Sequence, residues 1–369
     1  MVSHRHVFLL LLASCWFYGG VLGEIRPGPC PCREPALCQP ITAAPRKELF
    51  VFRVGNGDEW QLYDWSFITT VAEFGTKTYS PDLMCHAHSV GARVVLPATY
   101  PKADLSNATA RSAWVKQKLD TALSQRMDGI NIDFEDTLSE SEAPYLVALV
   151  NETAKAFKAA NPYAQISFDT PFAPGCTWGR CYDYEKLSES CDFLVLMDYD
   201  LSDPDIAIPN DPYQRVKIGV ESFMADGVPA NKLVPALPWY GYDYECTHML
   251  KDSVCSIVGY QLNLESRTQR CYSYITQMLK DLPTTATLNE TYISKFFNYM
   301  DKGTGKPHQV WYDDPETLLV RYLYAKANNL RGVAMWNAEC LDYSNDPEAE
   351  KLTKAMWDAI DKFFKPPNN

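Results

Sequence analysis

The stretch MDGINIDFED, residues 127–136, decides how this chain folds. Read as a strand, it puts Ile130, Ile132 and Phe134 on one face and Asn131, Asp133 and Glu135 on the other, because side chains alternate along extended backbone. Turning acids inward is costly unless they are paired, hydrogen-bonded or protonated. A half-exposed antiparallel strand with a wet polar face would explain the pattern without any function. A strand of a closed parallel barrel explains it differently. One face packs under helices, the other looks into the barrel, and Glu135 stands at the carboxyl end, where barrel enzymes carry their active sites.

The rest of the chain favours the barrel. Short β-rich runs recur at 49–54, 68–74, 93–96, 129–135, 165–169, 193–199, 233–237 and 332–336. Helical patterns lie between most of them. Residues 110–125 carry Ala113, Trp114, Leu119 and Leu123 among Lys and Arg. SESEAPYLVALVNETAKAFKAANP opens on a Ser/Glu cap and stops at Asn161-Pro162. Strands alternating with helices in this number predict an α/β protein with a (β/α)8 barrel over residues 47–369. An open doubly wound sheet would carry a glycine-rich phosphate loop after its first strand, and VGNGDEW is a poor match to one. The long interval 244–308, between the seventh and eighth strands, is expected to be a small insertion walling the cleft.

Composition narrows the function. The 369 residues carry a formal charge of -12 and no Lys/Arg run, which argues against a nucleic-acid partner. Residues 1–23 have the form of a signal peptide: His4, Arg5 and His6, an apolar run, then small residues at Val21 and Gly23 before a mature start at Glu24. No later segment is apolar enough to span a bilayer, so no membrane attachment is expected after cleavage. Entry into the secretory route agrees with the glycosylation triplets at Asn107, Asn151 and Asn289. Of twelve cysteines Cys15 leaves with the leader, so eleven remain, and an oxidising compartment would pair most of them and leave one thiol over. Cys176 and Cys181 suit a short loop. Cys30, Cys32 and Cys38 suit a tie for the Cys/Pro-rich segment 24–46, a metal knuckle there lacking a fourth ligand at zinc spacing.

Several strand ends carry aromatics and acids: Met197, Tyr199 and Asp200 in LMDYD, Trp239 and Tyr240 in PWYGYDY, and Trp336 in VAMWN. Rings that stack on pyranose C–H faces, beside carboxylates that accept from hydroxyls, suit a sugar site. Asp133 and Glu135 lie roughly 6.6 Å apart along one strand face. They approach a glycosidic bond from the same side, so one can protonate the leaving oxygen while the other is badly placed to attack beneath the ring.

The motifs DGINIDFE, LMDYD, KLVPALPWYGYDY and VWYDDPETL…NLRGVAMWNAECLDY together resemble glycoside hydrolase family 18, the chitinase family, over nearly the whole mature chain. That resemblance implies hydrolysis of β-1,4 bonds between N-acetylglucosamine residues with retention. The expected substrate is the chitobiose core of asparagine-linked glycans, cut at its reducing-end sugar. The sugar's own 2-acetamido oxygen would attack. Glu135 would be the acid and then the base, Asp133 would orient the acetamide N–H, Tyr199 would donate to its oxygen, and Trp336 would floor the reacting subsite. Asp200, Met197, Trp239 and Tyr240 would shape the pocket. No metal and no cofactor are expected, the protein is expected to act as a monomer, and its place is the lysosome or, alternatively, outside the cell. An endochitinase with the same chemistry and a non-catalytic lectin on the same fold are the alternatives, and the presence of Glu135 weighs against the second. Asn131 departs from the family's usual Asp, and is expected to hydrogen-bond Asp133 and narrow the pH range.

Overall fold

The computed structural model describes residues 29–74, 79–258 and 266–365. The expected leader at 1–23 and its expected cleavage site lie outside these residues. Strands β1 (Glu48–Arg53), β2 (Thr70–Glu73), β3 (Arg93–Ala98), β4 (Gly129–Ile132), β5 (Gln165–Pro171), β6 (Phe193–Met197), β7 (Leu233–Pro238) and β15 (Gly332–Trp336) close a barrel. Their order around the ring is β1-β15-β7-β6-β5-β4-β3-β2, and each neighbouring pair is parallel. Runs such as FLVLM in β6 are apolar throughout because helices cover one side of the strand and the barrel core fills the other. Gly129 opens β4 where an added Cβ would meet the Gln165 carbonyl oxygen at 2.0 Å, so only glycine admits this close pairing with β5.

Helices α1 (Pro81–Ser89), α2 (Ala108–Ser124), α3 (Ala143–Ala160), α4 (Tyr184–Ser190), α5 (Tyr213–Ala225), α7 (Pro315–Ala327) and α8 (Pro347–Phe364) surround the strands. In α3 the buried Leu146, Leu149, Val150 and Phe157 follow helical spacing, and the helix stops at Asn161, before Pro162. Asp314 and Thr317 form a capping box at the start of α7.

Between β7 and β15 lies an antiparallel sheet of β8 (Tyr240–Glu245), β11 (Arg267–Cys271), β12 (Thr287–Asn289), β13 (Ser294–Met300) and β14 (Pro307–Tyr312), in the order β11-β8-β14-β13-β12. The short pair β9 (His248–Met249) and β10 (Cys255–Ser256) and helix α6 (Tyr272–Asp281) complete it. The insertion is wider than the sequence suggests: it runs from Tyr240 to Tyr312 because β8 follows β7 with only Trp239 between them. Buried Arg321 on α7 fastens the sheet to the barrel. Its guanidinium reaches Asp211 at 2.7 Å, Asp313 at 3.2 Å and the Ser294 hydroxyl at 3.1 Å.

Disulfides join Cys30–Cys38, Cys32–Cys85, Cys176–Cys181, Cys246–Cys255 and Cys271–Cys340, and Cys191 is left as a buried thiol. The three N-terminal cysteines therefore serve as disulfide partners, one of them with Cys85 of α1, which their spacing did not reveal. The same end of the barrel holds His88. One ring nitrogen lies 2.6 Å from the Leu37 carbonyl oxygen and the other 2.9 Å from Asp128.

Candidate active site

A cleft of about 760 Å³ opens at the carboxyl ends of the strands. Asp133 and Glu135 reach it from the segment after β4, Asp169 from β5, Met197 and Tyr199 from β6 and just beyond it, and Trp336 from the end of β15. Six residues nominated from the sequence thus meet in one place: Asp133, Glu135, Met197, Tyr199, Asp200 and Trp336. In the ring β15 and β4 are separated by three strands on either side, so Trp336 and Glu135 stand across the mouth from each other. Trp336 packs against Phe52, Phe74 and Tyr199 with centroids 5.2, 5.3 and 6.2 Å away, which fixes its ring as part of the floor. A cis peptide joins it to Asn337.

The acids sit at different depths. Asp133 is mostly buried and its carboxyl lies close enough to that of Glu135 to feel its charge. Burial, then the charge of Glu135, push Asp133 up to about 7, against the pull of Arg180. Asp169 is wholly buried and is driven well above the usual carboxylate range by burial and by the nearby Asp133. Burial favours the protonated form of both acids, because taking bare charges out of water costs more than keeping them neutral. Tyr199 is also raised, by burial and by the acids Asp169, Asp133 and Asp200, so its hydroxyl stays a donor. Glu135 is the accessible member, its side chain 48% exposed, and Arg180 binds its Oε2 at 2.5 Å and its backbone carbonyl oxygen at 3.0 Å.

Three nominated residues stand behind the cleft. Asn131 is fully buried and its amide donates to Ser167 Oγ at 3.1 Å and Asp169 Oδ1 at 2.9 Å, not to Asp133. The expectation of an Asn131–Asp133 bond is corrected: β5 lies beside β4, and the inward Ser167 is register partner of Asn131. Trp239 is fully buried, packs on Trp357 of α8 at 4.9 Å and directs its indole N–H to Tyr322, so it belongs to the helix layer and not to the pocket. Tyr240 is buried too. Its hydroxyl and that of Tyr242 donate to Asp200 Oδ1 at 2.5 and 2.6 Å, so it supports a lining residue instead of lining the cleft. Both leave the cleft because β7 ends at Pro238 and the chain turns directly into the insertion sheet.

Sequence reasoning missed Asp169, Trp178 and Arg180. Asp169 had a signal: Gln165, Ser167 and Asp169 alternate with Ile166 and Phe168 as in β4. Trp178 and Arg180 had none, since a short disulfide loop brings them to Glu135. Asn107 is exposed at the N-cap of α2, and Asn151 and Asn289 are half-buried on α3 and at the end of β12, all outside the cleft lining. No described helix is long and apolar enough to cross a membrane.

With this geometry in hand, comparison with known proteins is decisive about class. Residues 96–340 match the family model of glycosyl hydrolases family 18. The chain is 41% identical over 351 residues to di-N-acetylchitobiase of Mus musculus, covering 92% of this chain and 95% of that protein. It is 39% identical over 342 residues to di-N-acetylchitobiase of Homo sapiens, covering 90% and 88%. The fold matches a chitinase from Chromobacterium violaceum with a TM-score of 0.68 at 17% identity, over 87% of this chain and 99% of that one. A class V chitinase from Nicotiana tobaccum in complex with NAG4 gives 0.68 at 17% identity, over 86% and 99%. The chain belongs to glycosyl hydrolases family 18. It is a glycoside hydrolase.

Proposed function

We propose that the protein hydrolyses the β-1,4 bond between two N-acetylglucosamine residues, as in the chitobiose core of asparagine-linked glycans, releasing the reducing-end sugar. The named relatives support the substrate class. One observation carries the mechanism: Asp133 and Glu135 line the same side of the cleft, across the mouth from Trp336.

The reacting sugar lies on Trp336. Glu135 gives its proton to the glycosidic oxygen while the acetamide carbonyl oxygen of the same sugar attacks the anomeric carbon from below. The bond to the leaving sugar breaks and an oxazolinium ring forms. Asp133 accepts the acetamide N–H through its otherwise unpartnered oxygen and so orients the attacking group, and the Tyr199 hydroxyl donates to the acetamide oxygen. Glu135, now a carboxylate, takes a proton from water, whose oxygen adds to the anomeric carbon and reopens the ring with net retention. Asn131 holds Asp169, Asp200 and Met197 shape the pocket, and no metal or cofactor enters any step. The reaction runs in the lysosome or, alternatively, outside the cell, on a monomer carrying glycans at Asn107, Asn151 and Asn289.

Product analysis on end-labelled N-acetylglucosamine oligomers tests the reading, with Glu135→Gln as control. Release of the labelled single sugar is expected. Internal products would make it an endochitinase, and binding without turnover a lectin. Equal hydrolysis of matched glycosides with and without the N-acetyl group would overturn the mechanism.

A further inference from the structure

The cleft is lined by the aromatic rings of Phe74, Tyr199, Trp336 and Trp178. Phe74 and Tyr199 both pack on Trp336 and make one continuous floor under the reacting sugar. Trp178 stands apart from that floor. It lies after β5, beside β4 in the ring, on the side of Glu135 and across the mouth from β15. The residue is 44% exposed, its ring rests on Phe172 at 5.6 Å, and the Arg180 guanidinium lies 5.3 Å from the ring centroid.

The loop that carries it is held firmly. Cys176 and Cys181 close residues 176–181 with a disulfide. Leu138 N–H donates to the Gly179 carbonyl oxygen at 3.0 Å, and Cys181 N–H to the Leu138 carbonyl oxygen at 3.1 Å, binding the loop to the segment that follows Glu135. Trp178 itself sits at φ 54°, a backbone region a tryptophan adopts only when its surroundings impose it. A large, half-exposed aromatic held this way does not serve the core. Arg180 is mostly buried, bonds Glu135 twice, and keeps its Nη1 donor buried with no hydrogen-bond partner among the described residues.

We propose that this disulfide-closed loop is the wall for the departing sugar: Trp178 stacks on the N-acetylglucosamine ring that leaves, and Arg180 positions Glu135 under its glycosidic oxygen. The inference rests on Glu135 being the acid. With the reacting ring on Trp336 and its leaving oxygen at Glu135, the next sugar extends past Glu135 onto the side where Trp178 presents its ring. Trp178 is then a specificity residue for the leaving group, and Arg180 a positioning residue acting through Glu135.

Two substrates that share one reacting N-acetylglucosamine and differ only in leaving group separate the roles: N,N′-diacetylchitobiose and β-N-acetylglucosaminyl fluoride. Fluoride leaves without a sugar on the wall and with little need of a proton. Trp178→Ala is expected to lower kcat/KM on the disaccharide roughly tenfold, mainly through KM, as loss of one stacked ring implies. Trp178→Phe should restore most of it, and the fluoride should stay within about twofold of wild type. Arg180→Gln should lower kcat on the disaccharide roughly tenfold to hundredfold and move its pH profile, again with a smaller effect on the fluoride. Equal losses on both substrates, or no loss on the disaccharide with Trp178→Ala, would overturn the proposal. A wild-type enzyme inert on both substrates would instead remove the reading of Glu135 and this inference with it. Trp178 is exposed enough that its variants fold.

Discussion

Asp128 and Asp133 flank the same four-residue strand, β4, and live in opposite worlds. At the amino end Asp128 accepts from Ile41 N–H and Val94 N–H, both at 2.9 Å, and faces His88 at 2.9 Å. At the carboxyl end Asp133 keeps one buried oxygen without a hydrogen-bond partner among the described residues, lies beside another acid, and is pushed up to about 7. One acid is satisfied and ties the N-terminal segment to the barrel. The other is left short of partners, which is how a site keeps a group ready to accept from a substrate N–H. The difference teaches that burial alone does not identify a functional acid; missing partners count when the group also opens on the cleft, as Asp133 does and the equally unpartnered Asp198 does not.

The largest effect that can break this contrast is on turnover. Glu135→Gln and Asp133→Asn should each cut kcat on N,N′-diacetylchitobiose by about 10²–10⁴-fold. Neither should lower the unfolding midpoint. A cooperative loss of stability in Asp133→Asn would erase the distinction between the two ends. The reverse holds for Asp128→Ala, which should cost about 3–5 kcal/mol in denaturant titrations at pH 5, because His88 and two backbone donors lose their partner together. Turnover per folded molecule should stay near wild type.

Smaller and sharper is the pH dependence of stability. For His88 burial alone would lower its value, but the hydrogen bond and charge of Asp128 and the Leu37 carbonyl raise it overall. Its contribution is complete below the unfolded value of 6.5 and fades as pH rises through the higher folded value. Asp133 acts in the same direction by a different route. Its folded form binds a proton more tightly than the unfolded one between 3.8 and about 7, so stability falls as pH rises across that window. The slope is at most about 1.4 kcal/mol per pH unit for each proton. Thermal midpoints should therefore be higher at pH 5 than at pH 8. His88→Gln and Asp133→Asn should each flatten the trend, the first by destabilising in acid, the second by relieving the folded protein in base.

The smallest effect concerns Asn131. Its amide donates to Asp169, so Asn131→Asp replaces a donor with a second acid against a buried carboxyl. Activity should survive, with one limb of the pH–rate profile displaced by roughly one unit or less. A profile superimposable on wild type would show that Asp169 does not communicate with the reacting acids.

Much of this was legible in the residues, for identifiable reasons. Alternation placed Asp133 and Glu135 inward, and apolar runs marked the barrel strands, because a strand buried on both faces or split between them writes its period into the sequence. The repeated pattern in 165–169 held Asp169 equally plainly and was passed over. Trp239 misled because a tryptophan at a strand end looks the same whether it faces the mouth or the helices; the turn from β7 straight into β8 sends it outward.

Local pattern by itself determined the barrel, the acid-bearing strand and the direction those acids face, since each depends only on period and order along the chain. Tertiary structure alone decided which acids are partnered, and brought Trp178 and Arg180 beside Glu135 through a loop closed by a disulfide. Partnership and burial are set by atoms far apart in sequence, and no periodicity encodes them.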